Sequence, residues 1–294
     1  MKKTSLIAAA LVASFGIVGC GGGSSSSDGA AVSTQDVTVS GKAIDPELIS
    51  ATVCLDLNRD GNCSDNELSA TTDGNGKYQL NVSSNQMNGN YSLVAVNGVD
   101  EESGEAFKGT LMADINGTSQ NITPLTTLMH EQMQYGSDQM KKMEDIVGLS
   151  YDDMQKNIIT LANDGNTTAL KVALVLEKSA EAIDPKDTIK FFEDLAQKID
   201  VSGKADSLVS LILEITPDSL KSQISSLIDT IMNAKASDAY DLAEKARSKA
   251  AELGIDQDTM IKKMPHDMPG TPDTNGTTEP GNPDMPENPD MPKY

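Results

Sequence analysis

The hydrophobic period of the chain changes once. From residue 36 to about 116, apolar and polar residues alternate in short runs such as VTVSGKAI, ISATVCLDL, KYQLNV, YSLVAV and FKGTLMADI. Val, Ile, Thr and Tyr dominate these runs, and DP, NRDGN, DGNG and NG turns separate them. A period of two puts successive side chains on opposite faces of a strand. Six or seven such strands predict a small β-sandwich over 36–116. From Asn121 onward the apolar residues recur every three or four positions, as in LVSLILEI and LKSQISSLIDTIM, which is the spacing of amphipathic helices. Thr123-Pro124 reads as an N-cap with Pro at the first helical position, and Asp184-Pro185 and Thr216-Pro217 repeat the device. Ser150 with Asp153, and Asp184 with Asp187, are capping-box variants. Gly136, Gly148 and Gly254 stand as helix stops. The predicted helices are 124–135, 138–147, 151–162, 168–182, 185–199, 205–214, 217–234 and 237–253. The expectation is a segregated multidomain α+β chain, with the sandwich at 36–116 followed by an all-α domain at 121–263.

The two ends carry different information. Lys2 and Lys3 precede LIAAALVASFGIV, an apolar stretch too short for a typical membrane span, and Ile17-Val18-Gly19-Cys20 follows. This order resembles the bacterial lipobox. The resemblance implies a signal peptide over 1–19 and a lipid, palmitate among its chains, on Cys20. It also implies export and membrane attachment through that anchor. Residues 20–35 are a Gly/Ser-rich tether. Gly21 is not the Asp that retains enteric lipoproteins at the inner membrane, so the outer membrane or cell surface of a Gram-negative bacterium is the expected location. Residues 264–294 are dense in Pro, Asp and Asn, a composition that builds no core and reads as a disordered tail.

Charge and composition narrow the function. With 44 acidic and 23 basic residues the net charge is −21, which argues against nucleic acid or anionic lipid as a partner. Lipidation of Cys20 leaves Cys54 and Cys63, and an exported Cys pair close in sequence reads as a disulfide. The chain has two His, no Trp, four Phe and six Tyr. It contains no GxSxG, HExxH, GxxxxGK[ST] or GxGxxG motif, so a non-enzymatic role is expected. His130, in MHEQM, reads as a helix-surface residue. Met129, Met133, Met140 and Met143 fall at helical spacing, and Met264, Met268, Met285 and Met291 punctuate the tail. Thioethers suit Cu(I), but the same stripe also suits a pliable core.

The most specific stretch is Asp56 to Glu67, DLNRDGNCSDNE, which fits the calcium loop D-x-[DN]-x-[DN]-G-x5-E at every specified position. Asp56, Asn58 and Asp60 would supply side-chain oxygens and Asn62 a backbone carbonyl. Ser64 stands where a water often bridges, and Glu67 would close the shell with both oxygens. An acidic β-turn that binds nothing is the competing reading, because Asp and Asn are also turn formers. The flanks bear on this choice. Val39-Ser40-Gly41, Ala51-Thr52-Val53, the loop itself, Thr72-Asp73 and Gly76-Lys77-Tyr78 resemble the B-type repeats of serine-aspartate-repeat adhesins. They also resemble the related carboxypeptidase-regulatory, transthyretin-like domains. The resemblance covers roughly 37–100 and implies an Ig/transthyretin-like sandwich whose calcium loop lies between two strands, as a structural module without chemistry of its own. Cys54 and Cys63 depart from the adhesin pattern and would staple the strand to the loop.

The sequons at Asn62, Asn116, Asn166 and Asn275 carry Asp two residues earlier, which resembles the extended bacterial N-glycosylation signal. Asn62 would be occupied by its own loop. Asn116, Asn166 and Asn275 are therefore the candidate glycan sites of a glycoprotein. Together these readings predict a cell-surface lipoprotein acting as a calcium-stabilised adhesion or interaction module, with an unidentified protein or surface partner. The alternatives are a periplasmic copper-handling lipoprotein using the Met-rich tail, and an accessory subunit of an enzyme complex.

Overall fold

The computed structural model describes residues 36–45, 47–87, 91–101, 104–184, 187–202, 206–236 and 239–255. Cys20, the tether, Asn275, His266 and the tail methionines lie outside the described residues. The strands are β1 (Asp36–Lys42), β2 (Leu48–Ile49), β3 (Thr52–Asp56), β4 (Ser69–Thr71) and β5 (Lys77–Ser83). A one-turn helix α1 (Ser84–Met87) precedes β6 (Ser92–Val96), β7 (Val99–Asp100) and β8 (Thr110–Asp114). β1 pairs with β5, β2 with β7, and a four-stranded sheet runs in the order β4-β3-β6-β8, every pair antiparallel.

The period-two pattern does what it should in β5. Tyr78, Leu80 and Val82 are buried while Lys77, Gln79 and Asn81 are exposed. These three join Val39 of β1 and, from the four-stranded sheet, Val53, Leu55, Leu93, Ala95, Leu111 and Ala113 in one apolar cluster. Both sheets therefore contribute to a shared core. In β3 and β6 the alternation fails, because almost every residue is buried. The second face of that sheet is also covered: Cys54, Val94 and Met112 form their own small cluster with the half-buried Ile189 of the helical part.

The helices are α2 (Pro124–Met133), α3 (Asp138–Val147), α4 (Tyr151–Gln155), α5 (Ile158–Asn163), α6 (Thr168–Ile183), α7 (Thr188–Val201), α8 (Leu208–Ile215), α9 (Lys221–Asn233) and α10 (Ala239–Glu252). The cap at Thr123 forms as expected. Thr126 N–H donates to Thr123 Oγ1 at 3.1 Å and Thr123 N–H to Thr126 Oγ1 at 2.8 Å, a reciprocal capping box. Other boundaries differ. The expected helix 151–162 is two helices, because Lys156 is extended and Asn157 caps a new start by accepting from Thr160 N–H at 3.0 Å. α7 is capped by Asp187 rather than Asp184. Pro217 opens a turn closed by Leu220 N–H, and α9 starts only at Lys221. Local cap chemistry offered more than one start in each case. α6 lies deepest, with Ala169, Leu170 and the run Val172–Glu177 all buried.

The two parts are joined over several elements. Segment 118–122, expected at the boundary between them, runs parallel to β1 instead of forming a linker. Ser40 N–H donates to Thr118 O, Gln120 N–H to Ser40 O and Ile122 N–H to Lys42 O. This approach requires Gly41, since a Cβ there would sit 1.7 Å from Gln120 O. Thr126 Oγ1 donates to Met112 O, Met112 N–H donates to Thr127 Oγ1, and Thr110 N–H donates to Thr188 Oγ1. Ile44, from the turn after β1, is fully buried in the helical core.

Candidate metal centre

β3 delivers Asp56 at its end, and the backbone then reverses toward β4. Asp56 is completely buried although it is ionisable. Its carboxylate accepts from the N–H of Arg59 and, at 3.0 Å, from that of Gly61. Gly61 has φ 69, the left-handed conformation that glycine adopts without strain. Asn58 Oδ1 accepts from Asp60 N–H at 3.1 Å, and Asp60 Oδ1 accepts from Asn62 N–H at 2.8 Å. The Asn58 amide donates to Asp60 Oδ2. Glu67 closes the turn from the far end, where its two oxygens accept from Leu57 N–H at 2.9 Å and Ser64 N–H at 3.0 Å. Cys54 and Cys63 are joined in a disulfide, Cα–Cα 5.7 Å, that ties β3 to the middle of the loop. The Asn62 carbonyl lies 3.8 Å from Cys54 Sγ.

The loop is thus a chain of side-chain-to-backbone turns that arranges Asp56, Asn58, Asp60 and Glu67 around one bend. An ionised carboxylate has about four acceptor sites, so Asp56 and Glu67 keep capacity beyond the N–H groups they already receive. The loop's carboxylates are nevertheless not the tightest acidic group. Among the described residues, the only three such side chains with ligating atoms all within 4.8 Å of one another are Asp45, Glu177 and Glu181.

A polar row continues inward from the loop. Asp56 is paired with Ser92 and Ser92 with Asp114 across β3, β6 and β8. Asp114 Oδ1 lies 2.7 Å from His130 Nδ1 on α2. His130, expected on the helix surface, is only 20 % exposed at its side chain. The cause is that α2 lies against β8 through Thr126 and Thr127, which turns the next residue of that face toward Asp114. Burial pulls His130 down, but the hydrogen bond and charge of Asp114, with smaller contributions from Glu131 and Asp56, hold it above the ordinary histidine range. Burial pushes the neighbouring Glu131 up to about 7, against the pull of His130.

The methionine stripe is core. Met129, Met140 and Met143 are buried in the helical cluster and only Met133 is largely exposed. Asn116 and Asn166 are both exposed, in the turns after β8 and before α6. Sequence reasoning missed Asp45, Glu177, Lys178 and Glu181. Asp45-Pro46 reads as a plain turn, but a signal was present in LVLEKSAEAI, where charges at i and i+4 interrupt an otherwise apolar helix.

Comparison with protein-family models, curated proteins and solved structures finds no match to this chain. Among the described residues, no helix is long and apolar enough to cross a membrane.

Proposed function

We propose that the chain is a non-enzymatic, exported lipoprotein whose β part is a calcium-stabilised, Ig/transthyretin-like interaction module. The observation that carries this reading is the Asp56–Glu67 loop, which is prefolded by its own hydrogen bonds and fastened by the Cys54–Cys63 disulfide. Its donors suit a hard cation: the carboxylates of Asp56, Asp60 and Glu67, the Asn58 amide oxygen, the Asn62 carbonyl, and Ser64 through a water. The ion would neutralise carboxylates crowded into one bend and hold the β3–β4 connection rigid. The module would gain a calcium-hardened end without any reacting group.

Export receives independent support from the disulfide, since such bonds persist in oxidising compartments. The lipid on Cys20 and attachment at the outer membrane or cell surface follow from the lipobox-like N-terminus. Exposed Asn116 and Asn166 suit glycan attachment. The copper alternative loses its helical half, because Met129, Met140 and Met143 are enclosed by apolar neighbours.

The test is thermal melting of the full chain with calcium, magnesium or EDTA, disulfide intact. Calcium raises the midpoint, magnesium does so weakly because it demands a tighter octahedron, and Glu67→Gln abolishes the calcium effect. An unchanged midpoint in calcium makes the loop an acidic turn only.

A further inference from the structure

The loop and His130 share one face of the four-stranded sheet. Cys54 on β3, Val94 on β6 and Met112 on β8 pack on that face with Ile189 of α7. Asp56, Ser92 and Asp114 each stand two residues along the same strands, paired in register, so they lie on the same face. Adjacent strands are about 4.8 Å apart, which sets Asp56 about 10 Å from Asp114 across β6. The loop folds back over this face: Cys63 Sγ lies 3.7 Å from Val94 O, and a Cβ on Gly61 would lie 3.9 Å from Met112 Sδ. His130 ends the row from α2, with Nδ1 2.7 Å from Asp114 Oδ1.

Little screens one end of this row from the other. Asp56 and Ser92 are buried, and Ser92 Oγ has no hydrogen-bond partner. Such surroundings carry a charge effect over a distance at which water would damp it. Burial lowers the proton affinity of His130, and Asp114, Glu131 and Asp56 together raise it by more. Those groups come from β8, from α2 itself and from the end of β3, and Glu193 of α7 acts on Glu131. Asp56 therefore bears on His130 while also belonging to the loop. A divalent ion at the loop would set a positive charge against the proton on His130. The Asp114 side chain is 46 % exposed, so water damps the effect at that end and keeps it to a few-fold.

We propose that His130 is a proton-operated regulator of the calcium loop: a proton held on its ring weakens calcium binding at Asp56–Glu67, and a bound ion drives that proton off. This rests on the calcium reading of the loop and adds its regulation. Linkage makes the two effects equal, so the factor by which the proton weakens calcium is the factor by which calcium weakens the proton. Calcium affinity then rises as pH rises through the His130 titration. Glu131 adds to the trend with the same sign, because it gains a negative charge near pH 7. The helical part thereby reports acidity to a loop in the β part.

Calorimetric titration of the full chain with calcium at pH 6 and pH 9, in low salt, tests it. The affinity should rise about threefold or more between the two. His130→Gln should remove most of that rise, whereas Glu131→Gln should keep the larger part of it. Proton competition at the loop carboxylates themselves would survive His130→Gln, and that result overturns the proposal. The second readout is proton NMR of the wild type, which decides the question if His130→Gln does not fold. Saturating calcium should lower the titration midpoint of the His130 ring by about 0.5 pH, the same threefold factor. Glu67→Gln should abolish this change. His266, the chain's other histidine, is the internal comparison, and an equal change at both rings overturns the proposal. Calcium that binds equally at both pH values, with the His130 midpoint unmoved, overturns it while the loop reading stands. No calcium binding at either pH sinks the loop reading and takes this regulation with it.

Discussion

The Asp56–Glu67 loop collects its oxygens from residues close in sequence at the edge of a sheet, and Asp56, Asp60 and Glu67 there already accept backbone N–H groups. The Asp45 cluster collects its oxygens from opposite halves of the chain, inside the molecule, and leaves Asp45 Oδ1 unpaired. A loop of the first kind organises itself by local turns before any ion arrives, and water can solvate its outer charges. A cluster of the second kind exists only when the turn after β1 has met α6, and the carboxylates of Asp45 and Glu177 are removed from water as the two parts meet. The same residue type therefore contributes differently: the loop's carboxylates are partnered by backbone N–H groups without any ion, whereas buried Glu177 depends on the ammonium of Lys178.

The largest expected effect follows from that asymmetry. Lys178→Met removes the ammonium paired with the buried Glu177 and should cost about 3–5 kcal/mol, the usual penalty for breaking a buried ion pair. Urea unfolding in EDTA measures it. An effect under about 1 kcal/mol in EDTA would mean that the cluster is solvated like the loop.

Calcium at the loop comes next. At a hundredfold excess over Kd it should add about 2.7 kcal/mol by mass action. In the Asp45→Asn background this gain should persist undiminished, which separates the loop from the cluster.

The disulfide sharpens the comparison from the other side. Replacing both Cys54 and Cys63 with Ala removes a staple that closes a nine-residue separation, worth roughly 2.5 kcal/mol in the chain-entropy model. The calcium gain should shrink with it, because the loop then starts less ordered. The cluster variants should respond as they do in the disulfide-bonded protein.

The remaining effect is a pH slope, spread over several units. Asp45 and Glu131 both hold protons more tightly in the folded chain, Asp45 well above the ordinary carboxylate value and Glu131 at about 7. His130 is likewise raised. In each case the folded chain binds more protons than the unfolded one, so stability declines as pH rises through these windows. Metal-free melts should fall from pH about 4.5 to just above neutrality. Glu131→Gln should flatten the section near pH 7 and leave the Asp45 portion in place. A midpoint that rises over this range would contradict the assignments.

How much of this was legible in the sequence depends on the range of the interaction. The capping box at Thr123, the αL glycine that ends α3 at Gly148 and the turn-forming residues of the loop act within a few positions, so one-dimensional spacing is enough to read them. The Cys54–Cys63 bond belongs with these, because it joins residues only nine positions apart. The helix starts at Asp187 and Lys221 escape such a reading for the opposite reason. Each has a Pro nearby that could open a helix, and the spacing alone does not choose between the starts.

Amino-acid order by itself determined where period two gives way to period 3.6, which side chains could cap or turn, and that one short loop is rich in hard-oxygen donors. Each follows from contacts a few residues apart. Only the tertiary structure decided that segment 118–122 becomes a partner of β1, that β3 and β6 are buried on both faces, and that His130 meets Asp114. It alone brought Asp45 to Glu177 and Glu181. Those outcomes depend on one surface excluding water from another, and a residue's place in the chain carries no record of which distant surface will cover it.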